Sequence, residues 1–175
     1  MRPFLPGRAS AALAGVAIAA VVSGTAPAGT TTSAAPAVFA PGTEGLEPAL
    51  AGAYTVAANE AHAQGVTLWI TSGKRSDAEQ RRLWRDAIAA YGSPEAARRW
   101  VLPAEESPHV RGKAVDVGPQ AGAAWLERNG HRWGLCRTFV NEWWHFELAT
   151  TLGAACPPMW PDAAVRADRL AGRNR

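Results

Sequence analysis

Two short stretches of the chain carry residues able to do chemistry together. In Ser107-Pro-His-Val-Arg-Gly-Lys-Ala-Val-Asp116 an imidazole, His109, precedes a carboxylate, Asp116, by seven positions. In Glu142-Trp-Trp-His-Phe-Glu147 a carboxylate, Glu142, precedes a second imidazole, His145, by three. Two His and one Asp form a ligand set that Zn²⁺ accepts in catalytic sites, with a fourth position open for water. On that reading His109, Asp116 and His145 hold one zinc ion, and Glu142 is free to move protons.

Backbone geometry restricts how these residues meet. Side chains alternate faces along a strand, so residues seven or three apart cannot share a face of one straight strand. His109 therefore belongs on a loop, with Gly112 letting the chain bend into the strand ending at Asp116. By the same logic Glu142 sits at a turn and His145 inside a strand. His145 and Glu147 are two apart and share a face, which makes Glu147 a candidate partner for an imidazole N–H. The other two histidines, His62 and His131, lack such company and are assigned to a helix surface and a loop.

The elements that must position these groups follow from periodicity and punctuation. Leu46, Leu50, Tyr54, Ala57 and Ala61 recur at helical spacing, giving a helix from about Pro48 to Gln64 that stops at Gly65. Val66 to Thr71 is β-branched and aromatic and reads as a strand. Ser76-Asp-Ala-Glu79 has the capping-box pattern and opens a helix that Gly92 closes. Ser93-Pro94 starts a shorter helix carrying Trp100, and Val101 to Pro108 is loop. Lys113 to Val117 is a strand, Gln120 to Asn129 a helix, and Cys136–Val140 with Trp143–Leu148 the arms of a hairpin turning near Asn141. After Pro157-Pro158 the chain reads as peripheral. The expected fold is α+β: a single domain with a small antiparallel sheet, helices packed on it, and the zinc site in a cleft.

Composition bounds the rest. Arg2 and Arg8 precede an apolar run from Ala9 to Val22 and then Ala26-Pro27-Ala28, the layout of an export signal over residues 1–28. A retained anchor is the rival reading, although the run is short and Ala-rich for a membrane span. Residues 29–45 hold almost no large apolar side chain and read as a flexible linker. The catalytic domain is then expected over residues 46–161, followed by a basic tail, 162–175, with Arg166, Arg169, Arg173 and Arg175. The formal charge of +3 falls to +1 without Arg2 and Arg8, which argues against nucleic-acid binding. Cys136 and Cys156 in an exported chain suggest one disulfide; a Cys nucleophile paired with His145 is the rival.

The motif Ser107-x-His109-x-x-Gly112-x-Ala114-x-Asp116, followed by Glu142-x-Trp144-His145, resembles the signature of the zinc D,D-peptidases. That family holds VanY-type D-alanyl-D-alanine carboxypeptidases, VanX-type dipeptidases, related L,D-carboxypeptidases and phage endolysin peptidases. Upstream, Ser72-Gly73-x-Arg75-Ser76 and Gln80 are similar to its substrate-side motif, so the likeness runs from about Leu46 to Leu148. The resemblance implies His109, Asp116 and His145 as zinc ligands and Glu142 as general base, then acid. It implies Arg75 as the neutraliser of the oxyanion or of the substrate's carboxylate, and Ser107, Gln80, Ser72 and Trp144 on the substrate side. The chain departs from the family at Lys74, where an aromatic is common, and at Trp143, where Pro is common. Trp143 either walls the cleft or packs in the core.

Three functions compete. The first is a secreted zinc metallopeptidase, a monomer, cutting the C-terminal D-Ala-D-Ala bond of peptidoglycan stem peptides, or a neighbouring bond as an L,D-carboxypeptidase or endopeptidase. The second is a zinc-containing module that binds cell wall without cutting it; the presence of Glu142 argues against this. The third, a structural zinc domain, needs a fourth protein ligand, for which Glu147 is the nearest applicant.

Overall fold

Helix α1 (Pro48–Ala63) starts with proline where its missing N–H costs nothing, and it buries Leu50, Tyr54, Ala57, Ala58 and Ala61. Gly65, at φ 73°, then turns the chain toward the sheet. A computed structural model of the chain describes residues 38–172, all within one compact unit. The expected export signal, and residues 29–37 of the expected linker, lie outside the described residues.

The sheet has four strands, β1 (Trp69–Ser72), β2 (Ala114–Gly118), β3 (Leu135–Arg137) and β4 (His145–Leu148), in the order β1-β2-β4-β3. Every neighbouring pair is antiparallel. The remaining helices are α2 (Asp77–Tyr91), α3 (Pro94–Ala97), α4 (Gln120–Asn129) and α5 (Ala163–Leu170), with a 3₁₀ turn at Gly130–Trp133. The α+β architecture expected from the pattern is thus present. Ser76 accepts a hydrogen bond from the Glu79 N–H at 3.2 Å to start α2, and Gly92 closes it in the left-handed region.

The central strand β2 is buried along its whole length, and its two faces have different fates. Val115 and Val117, with Phe146 opposite Val115, join Leu50, Tyr54 and Leu126 in the main core beneath α1 and α4. Asp116 points the other way. It lies directly opposite His145 on β4 and opposite Ser72 on β1, and directly paired residues share a sheet face. On β1 the register shifts between Ile70 and Ser72, so Ile70 pairs with Val117 and Ser72 with Asp116. That bulge lets two residues of like parity serve opposite faces: Ile70 packs against the core while Ser72 stands in the row of Asp116 and His145.

Several expectations are corrected. Strand β1 is shorter than Val66–Thr71 because its partner ladder ends at Gly118; Pro119 has no N–H to extend it. The hairpin arms are shorter too, since residues 138–144 leave the sheet. The Trp160 N–H donates to the Thr138 carbonyl and the Val140 N–H to the Trp160 carbonyl, both at 2.9 Å, drawing this segment toward the C-terminal chain. Trp100 lies beyond α3, stacked on Tyr91 at a 6.0 Å ring separation. The segment 40–45, expected as linker, packs on the domain: the Ala40 N–H donates to Thr55 Oγ1 at 2.9 Å and Thr43 is buried. The chain beyond Pro158 is neither peripheral nor a solvated tail through Leu170. Asp162 caps α5 by accepting from the Val165 N–H at 2.9 Å. Trp160, Ala163 and Ala167 complete a second small core with Leu102 and Phe139. No helix among the described residues is long and apolar enough to cross a membrane.

Candidate metal centre and active site

His109 sits in the turn before β2, where Gly112 takes φ 69°. A Cβ at Gly112 would stand 2.7 Å from the Gly45 carbonyl oxygen, so this turn requires glycine both for its conformation and for its close approach to another backbone. The loops flanking the site are zipped together, the Arg75 N–H donating to the His109 carbonyl at 3.2 Å. The other side of the site is set by Arg137. Its Nε donates to the carbonyls of Phe139 at 3.0 Å and Glu142 at 3.2 Å, and its Nη2 to Val140, gathering the 139–142 loop that presents Glu142.

Three side-chain atoms converge. His109 Nε2 lies 3.3 Å from His145 Nδ1 and 3.3 Å from Asp116 Oδ1, and His145 Nδ1 lies 3.1 Å from Asp116 Oδ1. Ligands bound at about 2.0–2.1 Å in a tetrahedron stand about 3.3 Å apart, so the triangle matches three corners of a zinc polyhedron. All three residues are buried, and two imidazole nitrogens with one carboxylate oxygen suit this borderline ion. The donor set therefore fits zinc. The outward atoms of the triad are also held. His109 Nδ1 meets the Gly73 carbonyl at 2.9 Å, and His145 Nε2 meets Glu147 Oε1 at 2.8 Å. Arg75 Nη2 donates to Asp116 Oδ2 at 2.6 Å. Such partners orient metal ligands and fix imidazole tautomers. Glu147 grips the nitrogen of His145 that points away from the triangle, so it does not serve as a fourth ligand there.

Glu142 is 5 % exposed, with Oε2 3.6 Å from His145 Nδ1. Its Oε1 is buried without a hydrogen-bond partner, an arrangement that a carboxylate tolerates only at a cost. Burial pushes Glu142 up to about 7; the His145 charge opposes the rise and the Asp116 charge adds to it. Asp116 behaves oppositely: burial would raise it, but hydrogen bonds to His109 and His145 hold it well below the usual carboxylate range. For His145, burial disfavours the imidazolium, yet its hydrogen bonds to Asp116 and Glu147 prevail and raise it to about 9 in the metal-free protein.

These groups line one end of a cleft of about 350 Å³ with Ser107, Trp144 and Arg75; Leu83, Tyr91, Trp100 and Val101 line the rest. Ser72 and Gln80, expected on the substrate side, both hydrogen-bond Arg75, and Gln80 also lines the cleft. Arg75 Nε donates to Ser72 Oγ at 2.8 Å and Nη1 to Gln80 Oε1 at 3.2 Å, while Gln80 Nε2 donates to the Leu102 carbonyl at 2.8 Å. Lys74 is exposed and donates to the Val110 carbonyl, away from the cleft lining. Trp143 packs against the main core and not in the cleft. Cys136 and Cys156 form a disulfide, which removes the thiol-nucleophile alternative. His62 lies in the last turn of α1 and His131 in the 3₁₀ turn, both outside the site. Arg137 and Arg166 were not legible as site residues; the Asp162 cap before an Ala-Ala-Val run marks the helix of Arg166, but nothing local marks where it docks.

A sequence profile described as VanY, D-alanyl-D-alanine carboxypeptidase, matches residues 43–149, more than half of the chain. The chain belongs to this family. Solved structures agree on the fold. One is a glutamate-to-alanine variant of the D,D-pentapeptidase VanY from a VanB-type vancomycin-resistance cassette, in complex with Zn(II). It superposes with a TM-score of 0.55 at 24 % identity, over 58 % of this chain and 71 % of that one. VanYB in complex with D-alanine-D-alanine gives 0.55 at 23 %, over 58 % and 70 %. The LD-carboxypeptidase LdcB gives 0.51 at 21 %, over 58 % of each chain. No curated protein is detectably similar in sequence. As a VanY-family chain it is a carboxypeptidase, and the His-Asp-His triangle is its candidate metal site.

Proposed function

We propose that this VanY-family protein acts outside the cytoplasm as a monomer on peptidoglycan stem peptides, hydrolysing their terminal D-Ala-D-Ala bond. The observation that carries the reading is three buried side-chain atoms at 3.1–3.3 Å from one another beside the carboxylate of Glu142, whose Oε1 is buried without a partner, at one end of a cleft. The signal-like stretch of residues 1–28 supports the location.

His109, Asp116 and His145 would hold the zinc. When bound there, the ion supplies Lewis acidity and lowers the pKa of a water to about 7. Glu142 takes a proton from the attacking water as its oxygen bonds to the scissile carbonyl carbon. The C–N bond then breaks, and the same carboxyl gives its proton to the departing amine of D-alanine. A carboxylate within reach of both the water and the departing amine can carry the proton through both halves of this exchange. Arg75, fixed by Ser72, Gln80 and Asp116, places positive charge where the oxyanion or the substrate carboxylate sits. Ser107 and Trp144, on the cleft wall, contact the peptide near its reactive end.

The test is to incubate zinc-loaded protein with a stem pentapeptide and follow products by mass. Loss of one alanine supports the D,D-carboxypeptidase. Loss of a dipeptide, an internal cut, or cleavage of tetrapeptide alone moves the assignment to an endopeptidase or an L,D-carboxypeptidase. No product from any wall peptide favours a binding module.

A further inference from the structure

We infer that the metal centre extends beyond the family's matched region: Arg166 of α5 is a positioning residue that fixes His145 through Glu147. This rests on the zinc reading above. The family match ends at residue 149, yet Arg166 Nη1 lies 2.7 Å from Glu147 Oε1, and that same oxygen lies 2.8 Å from His145 Nε2. The side chains of Arg166, Glu147 and His145 are 14 %, 14 % and 3 % exposed, so the chain is largely shielded from solvent. The guanidinium carbon also stands 4.5 Å over the ring of Phe139, and Phe139 packs on His145 at 5.0 Å between ring centres. One arginine thus braces the imidazole along two routes, an ionic one and an aromatic one.

The physical need is specific. A largely buried carboxylate that accepts an imidazole N–H is costly unless its charge is paired. Arg166 supplies the counter-charge and fixes which way Oε1 points. Glu147 then sets the tautomer that leaves Nδ1 facing the metal triangle. Helix α5 is itself held in place by several contacts. Arg99 Nε donates to Asp162 Oδ2 at 2.9 Å, Arg98 Nη2 to Asp168 Oδ1 at 3.2 Å, and Trp160 pairs with Phe139. The Cys136–Cys156 disulfide ties the preceding chain to β3. The C-terminal segment therefore acts as a clamp on the fourth strand.

The experiment measures zinc affinity of the full chain by competition with a chromophoric chelator, for wild type, R166M, R166K, E147Q and the E147Q/R166M pair. Methionine keeps an unbranched stem over Phe139 and removes the charge; R166Q takes its place should R166M not fold. Zinc binding should weaken about tenfold in R166M, as for other outer-shell changes, and R166K should recover part of it. In the E147Q background the same change should cost little more, because its target is already gone. Unchanged affinity in R166M, or an equal loss in both backgrounds, overturns the inference. Wild-type protein that takes up no zinc would instead sink the metal assignment beneath it, so the two failures are distinguishable.

Discussion

Replacing Glu142 with glutamine should make the metal-free protein more stable and the zinc enzyme inactive. The carboxyl is buried, its Oε1 has no partner, and burial lifts it from 4.5 to about 7. For an acid raised in the folded state the linkage sign is unfavourable to folding. Below pH 4.5 the group is protonated in both states and contributes nothing. Between 4.5 and 7 the unfolded chain ionises first, so stability drains away as pH rises, and above 7 the full penalty stands. At about 1.4 kcal/mol per unit the penalty comes to about 3 kcal/mol. E142Q is nearly isosteric and cannot ionise. Urea unfolding of metal-free protein, disulfide intact, should show the variant about 3 kcal/mol ahead of wild type at pH 8 and level with it at pH 4.5. Turnover of pentapeptide by the zinc form should fall by about 10²–10⁴-fold with zinc still bound. A variant that is equally or less stable at pH 8 would refute the burial argument, and unaltered turnover would remove Glu142 from the mechanism.

Zinc must displace the proton that His145 holds up to about 9 in the metal-free protein, so affinity should climb from pH 7 to 9 and then level off. A flat chelator-competition profile across that range would contradict it. G112A should destabilise the fold by about 2 kcal/mol or more, because Gly112 combines φ 69° with a 2.7 Å approach to the Gly45 carbonyl; it should also weaken zinc binding by displacing His109, as read by urea unfolding and metal titration. Converting Cys136 and Cys156 to serine should cost about 3 kcal/mol in the chain-entropy account of a crosslink spanning 20 residues. Thermal unfolding midpoints with and without reductant check this.

Much of the site was legible because its rules are local. The loop placement of His109 follows from the seven-residue parity conflict with Asp116 and from Gly112. The shared face of His145 and Glu147 follows from their spacing of two, and the Ser76 cap from a four-residue pattern. Segment 40–45 misled because a Thr, Pro and Gly composition describes a chain with no partner; here the Thr55 hydroxyl and the Ile70 side chain supply one. The end of the sheet ladder at Arg137 was illegible for a similar reason: the competing backbone partner, Trp160, lies 23 positions on.

By itself, then, the amino-acid order determined which residue types are present to bind a divalent ion and which of them fall on loops, strands and helix starts. Those properties depend on nearest neighbours and on alternation along one strand. Only the tertiary structure decided that Ser72, Asp116 and His145 form one row across three strands, because strand register is a relation between distant segments and the β1 bulge shifts it. Only there, too, did Ser72 and Gln80 come to hydrogen-bond Arg75, and Arg166 of a basic C-terminal stretch come to pair with Glu147 beside His145. A side chain's role at a buried site is set by which charges and carbonyls are left to face it, and that is a property of the packed chain.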